Sequence, residues 1–135
     1  MFKNIIKISS ILCVLTVNAN SSDKWWESLN GIEITSYEHF KTLVSSPELE
    51  NAHIMIEFYM EQCRYCLGIK DDWNGLVEDT SAKYNHDNNV KTVEFFKING
   101  EKLHELRRRY RINGFPNFIY LRPGTKGREA KQFDG

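Results

Sequence analysis

The stretch "NAHIMIEFYMEQCRYCLGIKDDW" (51–73) joins a long apolar run to two cysteines that are three residues apart. Residues 51–60 are almost all apolar or aromatic, which is typical of a strand covered on both faces. From Cys63 onward apolar residues recur at helical spacing, so the sequence predicts a helix whose first turn carries Cys63 and Cys66. A buried strand that leads directly into a helix favours an α/β layer fold.

The rest of the chain continues the alternation of strands and helices. A chain of 135 residues is long enough for one such domain and too short for two. Helices are predicted at 35–44, where Thr35 and Glu38 have the spacing of a capping box, and at 100–110. The other strands are predicted at 31–34, 93–98 and 117–121, with one more beginning at 131.

Residues 1–19 have the layout of a secretory signal peptide. Lys3 and Lys7 precede a short apolar run, and Val17 and Ala19 suit the small positions before a cut after Ala19. The run is shorter than the roughly 20 residues of a membrane-spanning helix, although an uncleaved anchor remains the alternative. We therefore expect the mature chain in the secretory pathway, in the lumen of the endoplasmic reticulum or, as the alternative, secreted.

The mature chain then keeps a single cysteine pair, because Cys13 lies in the predicted signal peptide. A small domain with one pair is not a disulfide-stapled scaffold, and a bridge across so short a loop removes little unfolded-state entropy. A zinc site needs two more ligands, and the four histidines show no ligand spacing. We predict a redox pair and no metal site, with an inert disulfide as the main alternative.

The position of the pair suggests which cysteine reacts first. Backbone amides in the first turn of a helix have no internal partners and stabilise a thiolate on Cys63. Arg64 favours that thiolate, whereas Glu61 opposes it. We predict that Cys63 is the attacking cysteine and Cys66 the resolving one.

Several separated segments of the chain, in order, resemble those of a known family. The segment "IMIEFYMEQCRYCLGIKDDW", followed by "FFKING" and "RINGFPNFIYL", resembles a thioredoxin-fold domain of the protein disulfide isomerase family over roughly residues 31–135. The resemblance implies a thioredoxin-like α/β fold, with a central mixed sheet flanked by helices. It also implies a thiol-disulfide oxidoreductase that exchanges disulfides in client proteins.

The resemblance assigns catalytic roles to four residues. Cys63 and Cys66 fall on the attacking and resolving cysteines, and they form a disulfide in the oxidised state. Glu57 falls on the acid buried beneath them, whose raised pKa lets it exchange protons with Cys66. Lys97 falls on the lysine that moderates the charge of this acid. The alternatives are a strand-edge Glu57 that faces water and a Lys97 that reaches solvent.

The resemblance also implies a substrate-binding loop. Pro116 falls on the family's cis-proline, preceded by Phe115, where the neighbouring backbone binds an extended substrate strand. Arg64 and Tyr65, between the cysteines, are further candidate substrate contacts. No cofactor is expected beyond the redox-active disulfide. The expected partners are extended client segments with thiols or disulfides, and glutathione or another thiol oxidoreductase.

The sequence departs from the family pattern around the cysteines. Gln62 stands where active isomerases have tryptophan, and Arg64-Tyr65 replaces Gly-His; the further departures are Leu67 for lysine, Asp71 for proline and Asn117 for threonine. Gln62 and Arg64-Tyr65 favour the competing hypothesis of a client-binding module with a structural disulfide. The retained features favour the enzyme: Cys63, Cys66, Glu57, Lys97 and Pro116.

The resemblance further suggests the domain organisation. The family's last helix has no counterpart before residue 135, so we expect a signal peptide (1–19), an N-terminal lead (20–30) and a C-terminally incomplete thioredoxin-like domain (31–135). The lead contains Trp25 and Trp26, which either staple it to the domain or contact a partner.

Charge composition excludes a global electrostatic attraction to nucleic acid or membranes. Lysine plus arginine (18) equals aspartate plus glutamate (18), so recognition must be local. We expect no nucleic-acid partner and no membrane span in the mature chain. The arginine-rich run 107–111 is predicted to be a solvated helix end.

Overall fold

The computed structural model describes residues 24–86, 91–124 and 130–133, and over this part the chain forms a five-stranded mixed sheet flanked by helices. The strands are β1 (Ile32–Glu33), β2 (His53–Tyr59), β3 (Val93–Asn99), β4 (Asn117–Leu121) and β5 (Ala130–Phe133). The α-helices are α1 (Tyr37–Val44), α2 (Arg64–Tyr84) and α3 (His104–Arg109), and a short 3-10 helix spans Trp25–Ser28. The predicted thioredoxin-like fold class is confirmed. The predicted signal peptide lies outside the described residues.

The strand order is β1-β3-β2-β4-β5, with β2 in the centre. β1 and β2 both run parallel to β3, whereas β4 is antiparallel to β2 and to β5. Because β4 runs against β2, its first residue lies beside the carboxyl end of β2, with Asn117 opposite Phe58. The loop that carries Pro116 and the loop that leads to the cysteines therefore lie at the same end of these two neighbouring strands.

Side chains alternate along β2 between two hydrophobic clusters, one on each face of the sheet. Ile54, Ile56 and Phe58 belong to the first cluster, whereas Tyr59 and the partly buried Met55 belong to the second. The prediction that this strand is covered on both faces is confirmed. The buried residues of the second cluster are Trp25, Leu29, Tyr59, Cys63, Cys66, Trp73 and Phe95.

The predicted cap of α1 was wrong by one residue. Ser36 is the N-cap, and its Oγ accepts a hydrogen bond from the His39 backbone N–H at 3.0 Å. Thr35 instead bonds the His39 ring, and Glu38 pairs with Lys41. Adjacent threonine and serine offer two possible caps, and the backbone path out of β1 decides between them.

Helix α2 buries a narrower face than its apolar periodicity predicts. Within the helix only Cys66 and Trp73 are buried, whereas Leu76 and Tyr84 are largely exposed. Trp73 anchors the helix, because its indole N–H donates to the Asn30 carbonyl at 2.9 Å. An open apolar groove of about 390 Å³ lies beside it, lined by Met55, Ile69, Asp72, Trp73, Leu76 and Phe118.

In the described part of the chain, no helix combines the length and apolarity that crossing a bilayer requires.

Candidate active site

The two cysteines form a disulfide at the start of α2, with their Cα atoms 5.2 Å apart. Cys63 is the N-cap residue in an extended conformation, and its Sγ accepts a hydrogen bond from the Cys66 backbone N–H at 3.1 Å. Cys63 is 5% exposed and Cys66 is fully buried. Of the two sulfurs, the one at the helix start therefore faces the unpaired amides of the first turn.

The residues between the cysteines form the outer surface of the site. Arg64 and Tyr65 are both exposed, and Tyr65 retains 77% of its accessible surface. Gln62 and Leu67, on either side of the cysteine pair, are also exposed. These side chains are free to contact another molecule that approaches Cys63.

A second loop, which leads into β4, carries Phe115 and Pro116. The Phe115–Pro116 peptide bond is cis, as the resemblance implied. Phe115 is half-buried and packs against both hydrophobic clusters, including the one that contains the cysteines. Its ring fits because Gly100 has no side chain: a Cβ there would lie 2.2 Å from Phe115 Cε1. The guanidinium of Arg107 stacks over the same ring, 5.1 Å from its centroid.

Glu57 lies in the middle of β2 and is completely buried. Strand alternation places it with Met55 and Tyr59 on the face that packs against the cysteine cluster. Neither carboxyl oxygen has a hydrogen-bond partner among the described residues. Burial raises the pKa of Glu57 to about 8, and the charge of Lys97 offsets only part of this effect. The alternative that Glu57 faces water is wrong.

Lys97 lies opposite Glu57 in the register of β3 with β2. Its ammonium group is only slightly exposed and donates to the carbonyls of Trp26 at 3.1 Å and Leu29 at 2.8 Å. It also lies 3.6 Å from the carboxylate of Glu33. The alternative of a solvated Lys97 is therefore wrong, and its direct partners are in the N-terminal segment and β1, not at Glu57.

The sequence did not indicate a second acid near the site, the partly buried Glu33. The Tyr59 hydroxyl donates to Glu33 Oε1 at 2.9 Å, whereas Lys97 Nζ pairs with Glu33 Oε2. Burial raises the pKa of Glu33, and the contacts with Tyr59 and Lys97 offset part of this rise. Burial also raises the pKa of Tyr59. Tyr59 follows Glu57 by two residues in a strand, which is the one signal that could have placed it here.

The loop that precedes the cysteines is held through Glu61. Its carboxylate accepts hydrogen bonds from Lys102 and, at 3.3 Å, from the side chain of Asn99. Its backbone carbonyl accepts from the indole N–H of Trp25 at 3.0 Å. The negative charge that was expected to oppose a Cys63 thiolate is therefore partly neutralised by Lys102.

The thioredoxin family model matches residues 31–135. The chain belongs to the thioredoxin family. Solved structures agree: thioredoxin NaTrxh from Nicotiana alata shares 22% identity over 77% of this chain and 79% of that one, with a TM-score of 0.59. Mitochondrial thioredoxin 3 from Saccharomyces cerevisiae in its oxidised form shares 17% identity over 83% and 88%, with a TM-score of 0.60.

A module of a longer protein has the same fold. The J-Trx1 fragment of ERdj5 shares 18% identity with this chain, with a TM-score of 0.55. The match covers 77% of this chain and 43% of that one. At such identities the structural likeness shows the thioredoxin fold alone.

A thioredoxin-family domain with a Cys-x-x-Cys disulfide at the start of α2 has the arrangement of a thiol-disulfide oxidoreductase. Within the described ranges, no group of three or more histidine, cysteine, aspartate or glutamate side chains could hold a metal ion. Among the described residues, the disulfide and the completely buried Glu57 lie on the same side of the sheet.

Proposed function

We propose that this protein is a protein disulfide isomerase-like thiol-disulfide oxidoreductase of the secretory pathway. The observation that carries the proposal is the Cys63–Cys66 disulfide at the helix start, with the unpartnered acid Glu57 on the same side of the sheet. A buried acid with no hydrogen-bond partner lowers stability, so its presence favours a role in proton transfer.

In the reducing direction, the Cys63 thiolate attacks one sulfur of a client disulfide. The client S–S bond breaks, a Cys63–client disulfide forms, and the first client sulfur leaves as a thiolate that takes up a proton. The ionised form of Glu57 then takes the proton of the Cys66 thiol, and the Cys66 thiolate attacks Cys63 Sγ, which releases the second client sulfur as a thiolate that takes up a proton. The enzyme dithiol loses two electrons and the client disulfide gains them; the reverse sequence inserts a disulfide into a client.

The charges around the pair support this division of roles. The amide N–H of Cys66 and the helix dipole stabilise negative charge at Cys63, and Arg64 adds a nearby cation. A Glu57 pKa of about 8 lets this acid take up or release a proton near neutral pH. Lys97 contributes through its charge, which keeps that pKa from rising further.

The client segment is proposed to bind between the loop that carries the cysteines and the loop that carries Pro116. Arg64 and Tyr65 lie on the cysteine side, and the half-buried Phe115 and Pro116 lie on the other. An extended chain between them brings its cysteine to Cys63. Glutathione or another thiol oxidoreductase would restore the starting redox state of the pair.

The proposed location is the lumen of the endoplasmic reticulum, with secretion as the alternative, and rests on the sequence of residues 1–19. The test is the N-terminal residue of the protein after expression in a cell with a secretory pathway. A chain that begins at Asn20 supports the proposal, and a chain that retains residues 1–19 contradicts it.

Trapping of the mixed disulfide tests the proposed chemistry. Cys66→Ala removes the resolving thiol, so covalent complexes with a scrambled-disulfide protein should accumulate on non-reducing gels. Cys63→Ala removes the attacking thiol and serves as the matched control, which should trap little. Equal trapping by the two variants would contradict the assigned roles.

A client-binding module with a quiet disulfide remains the second candidate. The observation that favours it is the exposed surface of Gln62, Arg64 and Tyr65, which differs from the usual isomerase residues at those positions. A wild-type protein that binds unfolded chains without changing their disulfides would support this candidate.

A further inference from the structure

The connection from α3 to β4 contains an open cavity of about 620 Å³. No acidic side chain is among the residues that line it. The lining residues are His104, Arg107, Arg108, Arg111, Ile112 and Asn113.

The chain folds so that the arginines face the same space. After α3 ends, Arg111 takes a left-handed conformation (φ 53°), and its N–H bonds the Arg108 carbonyl. The buried Ile112 then turns back, with its N–H donating to the Arg107 carbonyl and its own carbonyl accepting from Arg107 Nε at 3.2 Å. This tight turn fixes the backbone at both ends of the arginine cluster.

Two of these cations have no counter-charge within the part of the chain that the structure describes. Arg108 and Arg111 are exposed, and no carboxylate of the described residues forms an ion pair with either. Arg109, in contrast, donates to the Tyr37 hydroxyl at 3.1 Å. The helix dipole accounts for cations in the last turn of α3, but Arg111 lies beyond that turn.

Arg107 is shared by the cavity and the proposed substrate loop. Arg107 lines the cavity and stacks on Phe115, which packs against the cluster that contains Cys63 and Cys66. A polypeptide that passes Phe115 on its way to Cys63 can therefore place a neighbouring segment over Arg108 and Arg111.

We propose that the surface formed by Arg108 and Arg111 at this cavity binds an acidic segment of the substrate polypeptide. Its part in exchange rests on the proposed oxidoreductase function, but the binding does not. The chain has no net charge, so the attraction is local and suits a few carboxylates better than the long phosphate array of a nucleic acid.

The test compares two cysteine-free extended peptides that differ only in having glutamate or glutamine, each labelled for fluorescence anisotropy. The full-length protein should bind the glutamate peptide more tightly, and the difference should shrink as salt rises from about 10 mM to about 150 mM, because the screening length falls from about 30 Å to about 8 Å. Equal binding of the two peptides overturns the proposal.

Variants assign the effect to the surface. Arg108→Gln/Arg111→Gln should weaken binding of the glutamate peptide by about three- to tenfold, the range expected for two exposed charge pairs, and leave the glutamine peptide unchanged. Lys41→Gln/Lys83→Gln removes the same charge from exposed positions on α1 and α2 and is the control. If both double variants lose the same affinity for the glutamate peptide, the net charge of the protein explains the loss, and the proposal is overturned.

Two further outcomes separate the hypotheses. If an RNA oligonucleotide or vesicles of anionic lipid bind the same arginines more tightly than the glutamate peptide, the assignment to an acidic polypeptide is overturned. If the glutamate peptide binds as predicted but a disulfide attached to it is not exchanged, the surface is supported and the proposed oxidoreductase function fails.

Discussion

At the residue scale, Glu57 combines complete burial with two carboxyl oxygens that lack hydrogen-bond donors among the described residues. A charged carboxylate is poorly solvated in such a place, which is why the pKa of Glu57 rises to about 8. Lys97 moderates this rise, but its ammonium group is bonded to Trp26, Leu29 and Glu33. Glu57 is therefore protonated in most molecules at neutral pH.

The raised pKa predicts how stability changes with pH. The folded state keeps the Glu57 proton up to about pH 8, whereas the unfolded chain loses it near the ordinary value of 4.5. Glu57 therefore adds no pH dependence below pH 4.5, and it lowers the free energy of unfolding as pH rises towards 8, by about 3 kcal/mol at pH 7. Glu57→Gln should remove this part of the slope, as measured by urea unfolding between pH 5 and 8 with the disulfide intact.

The acids Glu33 and Glu94 also have raised pKa values, and they remain in the variant. The difference between the two pH profiles therefore isolates Glu57. Parallel profiles for wild type and Glu57→Gln would contradict the assignment.

Some of these residues were identified from the sequence and others were not. Glu57 was identified because a carboxylate interrupts an apolar run, and the cysteines were identified by their spacing at a helix start. Glu33 was missed because its partners, Tyr59 and Lys97, come from two other strands. Such contacts depend on strand order, which local periodicity does not contain.

At the element scale, the 3-10 helix Trp25–Ser28 shows how the N-terminal lead is attached to the domain. Trp25 is buried, packs edge-on against Tyr59 and bonds the Glu61 carbonyl in the loop before the cysteines. The backbone of the same segment holds Lys97 through the carbonyls of Trp26 and Leu29. The segment is therefore stapled to the domain at the active site.

The two tryptophans make a matched pair for a test. Trp25→Phe keeps an aromatic ring but removes the hydrogen bond to Glu61, and we expect a loss of about 1–2 kcal/mol in the free energy of unfolding. Trp26→Phe keeps the backbone carbonyl that binds Lys97, and we expect a loss of about 0.5 kcal/mol or less. Urea unfolding of both variants measures the difference, and a larger loss for Trp26→Phe would contradict the described packing.

Elements were predictable where one signal dominated. The predicted strand 117–121 agrees with β4, because apolar residues follow a proline and end at a second one. The face of α2 was predicted too broadly, since exposed Leu76 and Tyr84 fit the helical period as well as buried Trp73 does. Periodicity marks positions on a helix, but burial depends on what packs there.

At the scale of the whole molecule, alternating strands and helices predicted a layered α/β fold, and the resemblance supplied its topology. The antiparallel pairing of β4 with β2 brings the cis-proline loop to the end of the strand that leads to Cys63. Sequence patterns alone do not fix that pairing, because β2 could equally have paired with another strand. The active site is thus a consequence of strand order.

The central claim is that Cys63 and Cys66 form an exchangeable redox pair. The most direct test equilibrates the full chain in glutathione buffers of defined potential, traps free thiols and counts them by mass. We predict a reduction potential of about −120 to −230 mV, within the range of thiol-disulfide exchange proteins. A potential below roughly −300 mV would mark the disulfide as structural and contradict the account.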